Sequence, residues 1–415
     1  MIKSNFSKEI REMESAMRTK VKTALVGMTV AGLVTAMTAC SDGGGGSDGS
    51  TIKVMAMGQY QSSQFSFPEM KDAVEGAINA ANAAGGINGK KIELTTCNDQ
   101  GDPNVAAKCA RQAVTEHAAA VLGSISLFNT GVTPVLEAAH IPLIGALPLT
   151  SADFTSPISY PADGGNPGQF TAAGLALAQR GCKQVGIISS SDSAAAQVSA
   201  ELIEQGVKSG GGQVTSSIGV TSDAPDLAPA VSTLLQGGAR CVGVALPAAA
   251  QMKFIMAARQ SSNPQLPIAA SLANVPPSVL ASSGAAMEGV LLPDSKVLPN
   301  PTDTPNFVAQ LKAQNPKAEV DTSAELAWSA ATVFIEVAKQ IQGPVTASSV
   351  IDQLKKTTAM KLETYPSPID FTKENSNPKY KRLFNTKDVM YMVHDGAIIK
   401  AQNDLINVAD ALAAS

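Results

Sequence analysis

Cysteine and histidine are the residue types best suited to chemistry here, and both are scarce. The three histidines, His117, His140 and His394, lie far apart along the chain, so a histidine-rich metal site is not expected. The five cysteines contain no C-x-x-C pair, which also argues against a bound metal. The sequence has no G-x-x-x-x-G-K-[ST] phosphate loop, no G-x-S-x-G motif and no H-E-x-x-H motif. We therefore expect no metal, no cofactor and no enzymatic activity.

The first cysteine, Cys40, follows an uncharged apolar run at residues 23–39, with basic residues before the run. Such a run is short for a membrane span and typical of a secretory signal. This order of features resembles the lipobox of bacterial lipoproteins, although Met37 stands where leucine is usual. The resemblance implies that a peptidase cuts before Cys40 and that its thiol carries a diacylglycerol.

The segment after Cys40 is rich in glycine and serine and predicts a flexible tether over residues 40–50. We expect residues 1–39 to be the signal peptide, with translation starting at Met1 or at Met17. The rest of the chain would then be extracytoplasmic and lipid-anchored to the outer face of the bacterial cytoplasmic membrane. The alternative is a plain secretory signal followed by a chance cysteine.

The other four cysteines are expected to form disulfides, because export places the chain in an oxidising compartment. Cys97 ends a strand-like segment and Cys109 lies on the next predicted helix, which favours a Cys97–Cys109 bridge. Cys182 and Cys241 each precede a strand-like run, and neighbouring parallel strands begin side by side. This arrangement favours a Cys182–Cys241 bridge, with free buried thiols as the alternative for that pair.

Composition and charge restrict the class of protein. A chain of 415 residues with 44% apolar residues can bury a large core and should form two domains. Removing the six basic and three acidic residues of the signal from totals of 31 and 35 leaves 25 basic and 32 acidic side chains. A body with this net charge of −7 is not expected to bind nucleic acid, which requires a basic face.

Predicted strands and helices alternate in two runs, which indicates α/β lobes with parallel sheets. In the first run, strands are predicted at 52–57, 91–96, 118–123 and 141–146, and helices at 68–84, 103–117 and 131–139. In the second, strands are predicted at 184–190, 213–220, 241–246 and 267–271, and helices at 169–180, 193–208, 225–236 and 248–260.

Three segments rich in proline interrupt this alternation, at 151–168, 291–305 and 365–368. Helices are predicted at 305–314 and 322–341, and a hairpin is predicted on the Asp395-Gly396 turn. If the chain passes between two α/β units at several of these segments, the units form a pair of lobes joined by a hinge. Ligands of open α/β sheets bind beyond the carboxyl ends of the strands, so the loops that follow the strands are the candidate site.

Four segments, at 77–94, 97–103, 118–128 and 141–145, resemble one family. This family has the type I periplasmic binding fold and includes the branched-chain amino-acid (Leu/Ile/Val) receptors of ABC transporters. The resemblance implies two doubly wound parallel-sheet lobes joined by a three-crossing hinge, as in a Venus flytrap. We expect lobe 1 to comprise residues 51–163 plus 294–364, and lobe 2 to comprise residues 164–293 plus 365–415.

The resemblance also implies a function. Such a protein captures a small organic solute between its lobes, closes about the hinge and docks on an ABC permease in the membrane. We expect a monomer. The alternative is a ligand-sensing lipoprotein that signals to a membrane partner without transport.

The family's ligand-binding positions identify candidates on the loops of both lobes. The candidates are Tyr60, Phe65, Phe67, Ser124, Ser126, Leu127, Phe128, Pro148, Thr150, Asp192, Pro247 and Asn274. The loop that contains Ser126 leads into a helix N-terminus, which suits an anion, although an ordinary strand-to-helix turn is the alternative. Either Ser126 or Leu127 takes the family's serine position, and Thr150 is a ligand, a helix N-cap or both.

Three further candidates carry alternatives. Phe67 is either part of an aromatic lid or a hydrophobic staple for the following helix. The second lobe has no acid near Leu272, where the family binds the ligand's ammonium group. Asp192 could replace that acid, or Asn274 could hydrogen-bond a neutral group. We therefore expect a solute other than a standard branched-chain amino acid.

Overall fold

The computed structural model describes residues 51–62, 66–123 and 125–413. The predicted signal peptide, the tether with Cys40, and the candidates Phe65 and Ser124 lie outside the described residues. In the described part of the chain, no helix is long and apolar enough to cross a membrane.

The first lobe is built on a parallel sheet, which has five strands in the described chain. In sheet order β2-β1-β3-β4-β5, the strands are β1 Thr51–Gly58, β2 Lys91–Asn98, β3 Val121–Leu122, β4 Leu143–Ile144 and β5 Ser159–Tyr160. Helices connect the strands and cover the sheet: α1 Pro68–Ala83, α2 Pro103–Thr115, α3 Asn129–Ala138 and α4 Ser151–Thr155. The predicted alternation of strands and helices therefore gives a parallel sheet, in which β1 pairs in parallel with both β2 and β3.

The second lobe contains a larger sheet, in the order β12-β11-β10-β9-β8-β6-β7 with β13 paired to β11. Its strands are β6 Gln184–Ser190, β7 Gln213–Val220, β8 Cys241–Ala245, β9 Ile268–Ala269, β10 Leu291–Asp294, β11 Lys387–His394, β12 Ala397–Lys400 and β13 Ile406–Asn407. Its helices are α5 Gly165–Gln179, α6 Ala194–Ser209, α7 Ala228–Gln236, α8 Ala248–Arg259, α9 Pro277–Met287 and α13 Ala409–Ala413. All residues of β8 are buried, as expected for a central parallel strand covered on both faces.

Three helices late in the chain return to the first lobe, namely α10 Pro305–Gln314, α11 Thr322–Lys339 and α12 Ala347–Leu354. The first-lobe core also includes Ile369 and Phe371, which lie beyond the expected boundary at residue 364. The chain thus passes between the lobes after β5, after β10, and between Phe371 and β11, so the third passage lies beyond the predicted break at 365–368.

The predicted hairpin and both predicted disulfides are present. In the hairpin, β11 pairs antiparallel with β12, and Asp395 and Gly396 take the positive φ angles that a tight turn requires. One disulfide joins Cys97 of β2 to Cys109 of α2. The other joins Cys182, just before β6, to Cys241 of β8, because β6 and β8 are paired neighbours.

Candidate functional site

A cavity of about 360 Å³ lies between the two lobes, at the carboxyl ends of their strands. Its first-lobe wall is largely apolar and contains Ile125, Leu147 and Leu326, with Thr322 and Ser323 at the start of α11. This position agrees with the general rule for open α/β sheets, and the volume suits a small organic molecule.

The second-lobe wall of the cavity is rich in hydroxyl groups. Ser190 ends β6, Ser193 caps α6, Ser222 follows β7 and Ser271 follows β9. The four side chains come together because the carboxyl ends of neighbouring parallel strands share one edge of the sheet. This wall can therefore offer several hydrogen bonds to a solute.

A buried ion cluster forms the hinge side of the cavity. Lys296 Nζ lies 2.7 Å from Asp163 Oδ2 and 3.2 Å from Asp294 Oδ1. Burial disfavours the lysine charge, but the carboxylates of Asp163 and Asp294 outweigh burial and raise the pKa of Lys296 well above its usual range. All three side chains line the cavity. The charge of Lys296 is already paired within the hinge, by Asp163 and Asp294.

Two carboxyl groups near this cluster are buried without partners. Among the described residues, no group hydrogen-bonds the side-chain oxygens of Glu325 in α11 or of Asp388 in β11. Burial raises the pKa of both groups well above the usual carboxyl range, against the attraction of Lys296. Both groups therefore hold a proton more readily than an exposed carboxyl group does.

The first-lobe candidates Ser126 and Thr150 are engaged within their own lobe. The Ser126 hydroxyl donates to the buried carboxylate of Asp99 at 2.8 Å and accepts the N–H of Phe128. The Thr150 N–H and hydroxyl both donate to Asp153 Oδ2, at 2.8 and 2.9 Å, and Thr150 precedes α4. Thr150 is thus the N-cap of α4.

The remaining described first-lobe candidates also lie away from the cavity lining. Tyr60 is buried in the first-lobe core, Phe67 packs against the same core as the N-cap of α1, and Leu127 is 57% exposed. Phe128 is the N-cap of α3. Pro148 is buried beside the start of α5.

Two of the second-lobe candidates line the cavity and one lies next to it. Pro247 caps α8, and Asn274 donates from Nδ2 to the carbonyl oxygen of Leu246 at 3.0 Å. Asp192 accepts hydrogen bonds from the hydroxyl and N–H of Ser222, which lower the pKa of its carboxyl group. The structure therefore brings Pro247 and Asn274 to the cavity, with Asp192 hydrogen-bonded to the lining residue Ser222.

Sequence reasoning missed the hinge cluster and the individual serines of the second lobe. Asp163, Asp294 and Lys296 lie in two predicted breaks far apart in sequence, so no local pattern connects them. Ser190 and Ser271, in contrast, end predicted strands of the second lobe. The rule that ligands bind beyond strand ends was the signal that could have identified both serines.

One exposed group in the described chain has metal-ligand chemistry, namely Glu288, His394 and Asp395. His394 Nδ1 lies 2.8 Å from Glu288 Oε1, while its Nε2 lies 3.6 Å from Asp395 Oδ2. The hydrogen bond to Glu288 raises the pKa of the imidazole. Because the two carboxylates approach opposite ring nitrogens, the arrangement suits a protonated histidine in an ion pair.

The sequence profile described as "Periplasmic binding protein" matches residues 58–381. The chain belongs to this family. Comparison with curated protein sequences gives no match. Membership of this family, together with the cavity between the lobes, supports a solute-binding role.

Solved structures of this family share the fold. The leucine binding protein LivK from Thermotoga maritima is 17% identical with a TM-score of 0.66, covering 86% of this chain and 99% of LivK. A solute binding protein from R. palustris in complex with 4-hydroxybenzoate is 18% identical with a TM-score of 0.67, covering 86% and 97%. LivJ from Streptococcus pneumoniae in complex with isoleucine is 15% identical with a TM-score of 0.65, covering 86% and 99%. At these identities the likeness supports the type I periplasmic binding fold, with two α/β lobes.

Proposed function

We propose that the protein is the extracytoplasmic solute receptor of an ABC importer. It captures a small organic solute in the cleft between its lobes and delivers it to a membrane permease. The observation that carries this proposal is the cavity lined by both lobes and by the hinge. A solute that contacts both walls favours the closed arrangement, and the closed form is the one that docks on a permease.

The solute is one other than leucine, isoleucine or valine. The loop at Leu272 lacks the acid that an amino-acid receptor of this family uses for the ammonium group. The second-lobe wall instead offers hydroxyl groups and Asn274. The solute is therefore recognised by hydrogen bonds from the second lobe.

A thermal-shift screen of amino acids, amides, ureas and carboxylic acids tests both proposals. A solute at 100 times its dissociation constant should add about 2.7 kcal/mol to the free energy of unfolding. Small-angle X-ray scattering should then show a smaller radius of gyration with that solute. Tight calorimetric binding of leucine or valine would refute the proposed specificity, and a screen with no stabilising solute would refute the receptor function.

A pair of tryptophan variants tests whether the cavity is the binding site. Ala273 is exposed and lines the cavity, so Ala273→Trp should fill it and abolish binding of the solute found in the screen. Ala285 is also exposed but lies on α9 outside the cavity lining, so Ala285→Trp is the matched control. Equal loss of binding in both variants would contradict the cavity as the binding site.

Uptake by living cells distinguishes transport from sensing. Deletion of the gene should abolish uptake of the radiolabelled solute, and the wild-type gene should restore it. If uptake is unchanged while the cells lose a response to the solute, the protein is the sensor that signals without transport.

The proposed lipid anchor is tested separately at Cys40. Cys40→Ser should release the protein from the membrane fraction, while Ser41→Ala should leave it there, because only the first variant removes the acceptor thiol. Mass spectrometry of the wild-type N-terminus should show acylation at Cys40. Sedimentation of the released protein should give a monomer, which we also propose.

A further inference from the structure

Ser190 has an unusual position in the cavity wall. It ends β6, its side chain is 0% exposed, and it lines the cavity. Among the described residues, no group hydrogen-bonds its hydroxyl oxygen. Buried hydroxyl groups are normally paired, since an unpaired one costs free energy. The Ser190 hydroxyl can therefore still form a hydrogen bond with a group that enters the cavity.

The N-terminus of α6 opens onto the same part of the cavity. Ser193 and Ala195 line the cavity, and the Ser193 hydroxyl accepts the N–H of Ala196. The N–H groups of Ala194 and Ala195 have no acceptor within the helix, because they belong to its first turn. These donors and the helix dipole favour a negatively charged group.

The opposite wall provides mainly apolar contacts; its polar groups are Thr322 and Ser323 at the start of α11, whose N-cap is the acidic Asp321. Ser126 is bonded to Asp99, so its hydroxyl is already committed within the first lobe. The first-lobe loops contribute Ile125 and Leu147 to the cavity, and α11 contributes Leu326. A solute that fits both walls has an anionic head for the second lobe and an apolar body for the first.

We infer that the second lobe holds a carboxylate-binding subsite, formed by the Ser190 hydroxyl and the first-turn N–H groups of α6, and that the solute is a small apolar carboxylic acid. This inference rests on the proposed receptor function and specifies the solute class. Asp192 lies next to the subsite in sequence, but its carboxylate is directed to Ser222, from which it accepts three hydrogen bonds.

The test is isothermal titration of the purified full-length protein with butyrate, hexanoate and benzoate. The matched primary amides and the matched amines are titrated in parallel. We expect the acids to bind at least tenfold more tightly than the amides, and the amines more weakly still. If amides or amines bind better than the acids, the carboxylate subsite is refuted while the receptor function stands. If neither these compounds nor any solute of the wider screen binds, both fail.

Ser190→Ala separates a binding role from a structural one. The variant should weaken binding of the acid by about tenfold, since a hydrogen bond to a charged group is lost. The melting temperature of the ligand-free variant should stay the same or rise, because an unpaired buried hydroxyl has been removed. Ser191→Ala, at an exposed position outside the cavity lining, is the matched control. Unchanged affinity in Ser190→Ala would overturn the inference.

Asp192→Asn determines the sign of the charge that the subsite prefers. Removing a negative charge near the N-terminus of α6 should tighten binding of the acid by about two- to fivefold. Asparagine retains an oxygen that can accept a hydrogen bond from Ser222. If Asp192 instead binds an ammonium group of the solute, the variant will weaken binding, and the inference is wrong.

Discussion

The ammonium group of Lys296 lies 2.7 Å from Asp163, and these two residues belong to different passages of the chain between the lobes. Asp163 follows β5 and its Oδ1 accepts the N–H of Gly165 at the start of α5. Lys296 follows β10, and Asp294 holds it from the second side. The ion cluster thus joins two passages of the hinge and lines the cavity between the lobes.

Lys296→Met should destabilise the protein by about 3–5 kcal/mol, because it leaves two buried carboxylates without a counter-charge. Urea denaturation followed by circular dichroism measures this loss. Lys339→Met is the control, since Lys339 also lies 2.7 Å from a carboxylate, that of Glu336, but on the exposed surface. Exposed pairs contribute little, so the control should change the free energy of unfolding only slightly. Similar losses in both variants would contradict a structural role for the hinge cluster.

Glu325→Gln should stabilise the protein increasingly as the pH rises. Burial raises the pKa of Glu325 in the folded state well above its usual value, so the folded protein keeps a proton that the unfolded chain releases above about pH 4.3. In wild type, the stability associated with this retained proton is present at low pH and is lost as the pH rises. Because glutamine does not ionise, the variant does not lose this stability as the pH rises.

The measurement for Glu325 is urea denaturation of wild type and Glu325→Gln between pH 5 and pH 8. The stability gained by the variant should grow across this range, whereas Glu336→Gln on the exposed surface should show no such trend. A constant difference between wild type and Glu325→Gln would show that Glu325 is ionised in the folded protein.

Removal of the Cys182–Cys241 bridge should cost more stability than removal of the Cys97–Cys109 bridge. The two bridges join residues 59 and 12 positions apart in sequence. Loop entropy alone gives losses of about 4 and 3 kcal/mol respectively. Double alanine variants of each pair, unfolded in urea, test the order. Thiol labelling of the unreduced wild type should find neither pair free, and labelling of these cysteines would contradict the bridges.

Gly165→Ala should destabilise the hinge more than Gly181→Ala. Gly165 is the first residue of α5 and Gly181 lies just beyond its end, and both have positive φ angles, of 56° and 90°. Alanine at either position costs about 1–2 kcal/mol of backbone strain. At Gly165 the added Cβ would also lie 2.7 Å from the carbonyl oxygen of Pro148 in the first lobe, whereas at Gly181 it meets nothing within 4 Å. Equal melting temperatures for the two variants would contradict this close approach.

Long elements were predictable from the sequence, and short ones were not. The predicted bounds 184–190 and 213–220 agree with β6 and β7, because continuous apolar or alternating runs between turn residues identify them locally. Strand β5 has two residues inside a segment rich in proline, and only pairing with β4 makes it a strand. Strand β10 lies in the predicted break at 291–305. It contains Pro293, which has no N–H to donate, and it pairs with β9 only at Leu291.

The sequence by itself determined the two α/β lobes, the hairpin turn and the family, because strand and helix periodicity, turn residues and segment similarity are local properties. Tertiary structure alone decided which side chains meet in the cleft. Ser126 and Thr150 stand at expected positions but are bonded to Asp99 and Asp153, while Ser190 lacks a partner in the described chain. Lys296 meets Asp163 across 133 positions of sequence, and this contact depends on how the hinge passages pack. A hydrogen-bond partner is settled by packing between distant segments, and no spacing in the sequence encodes it.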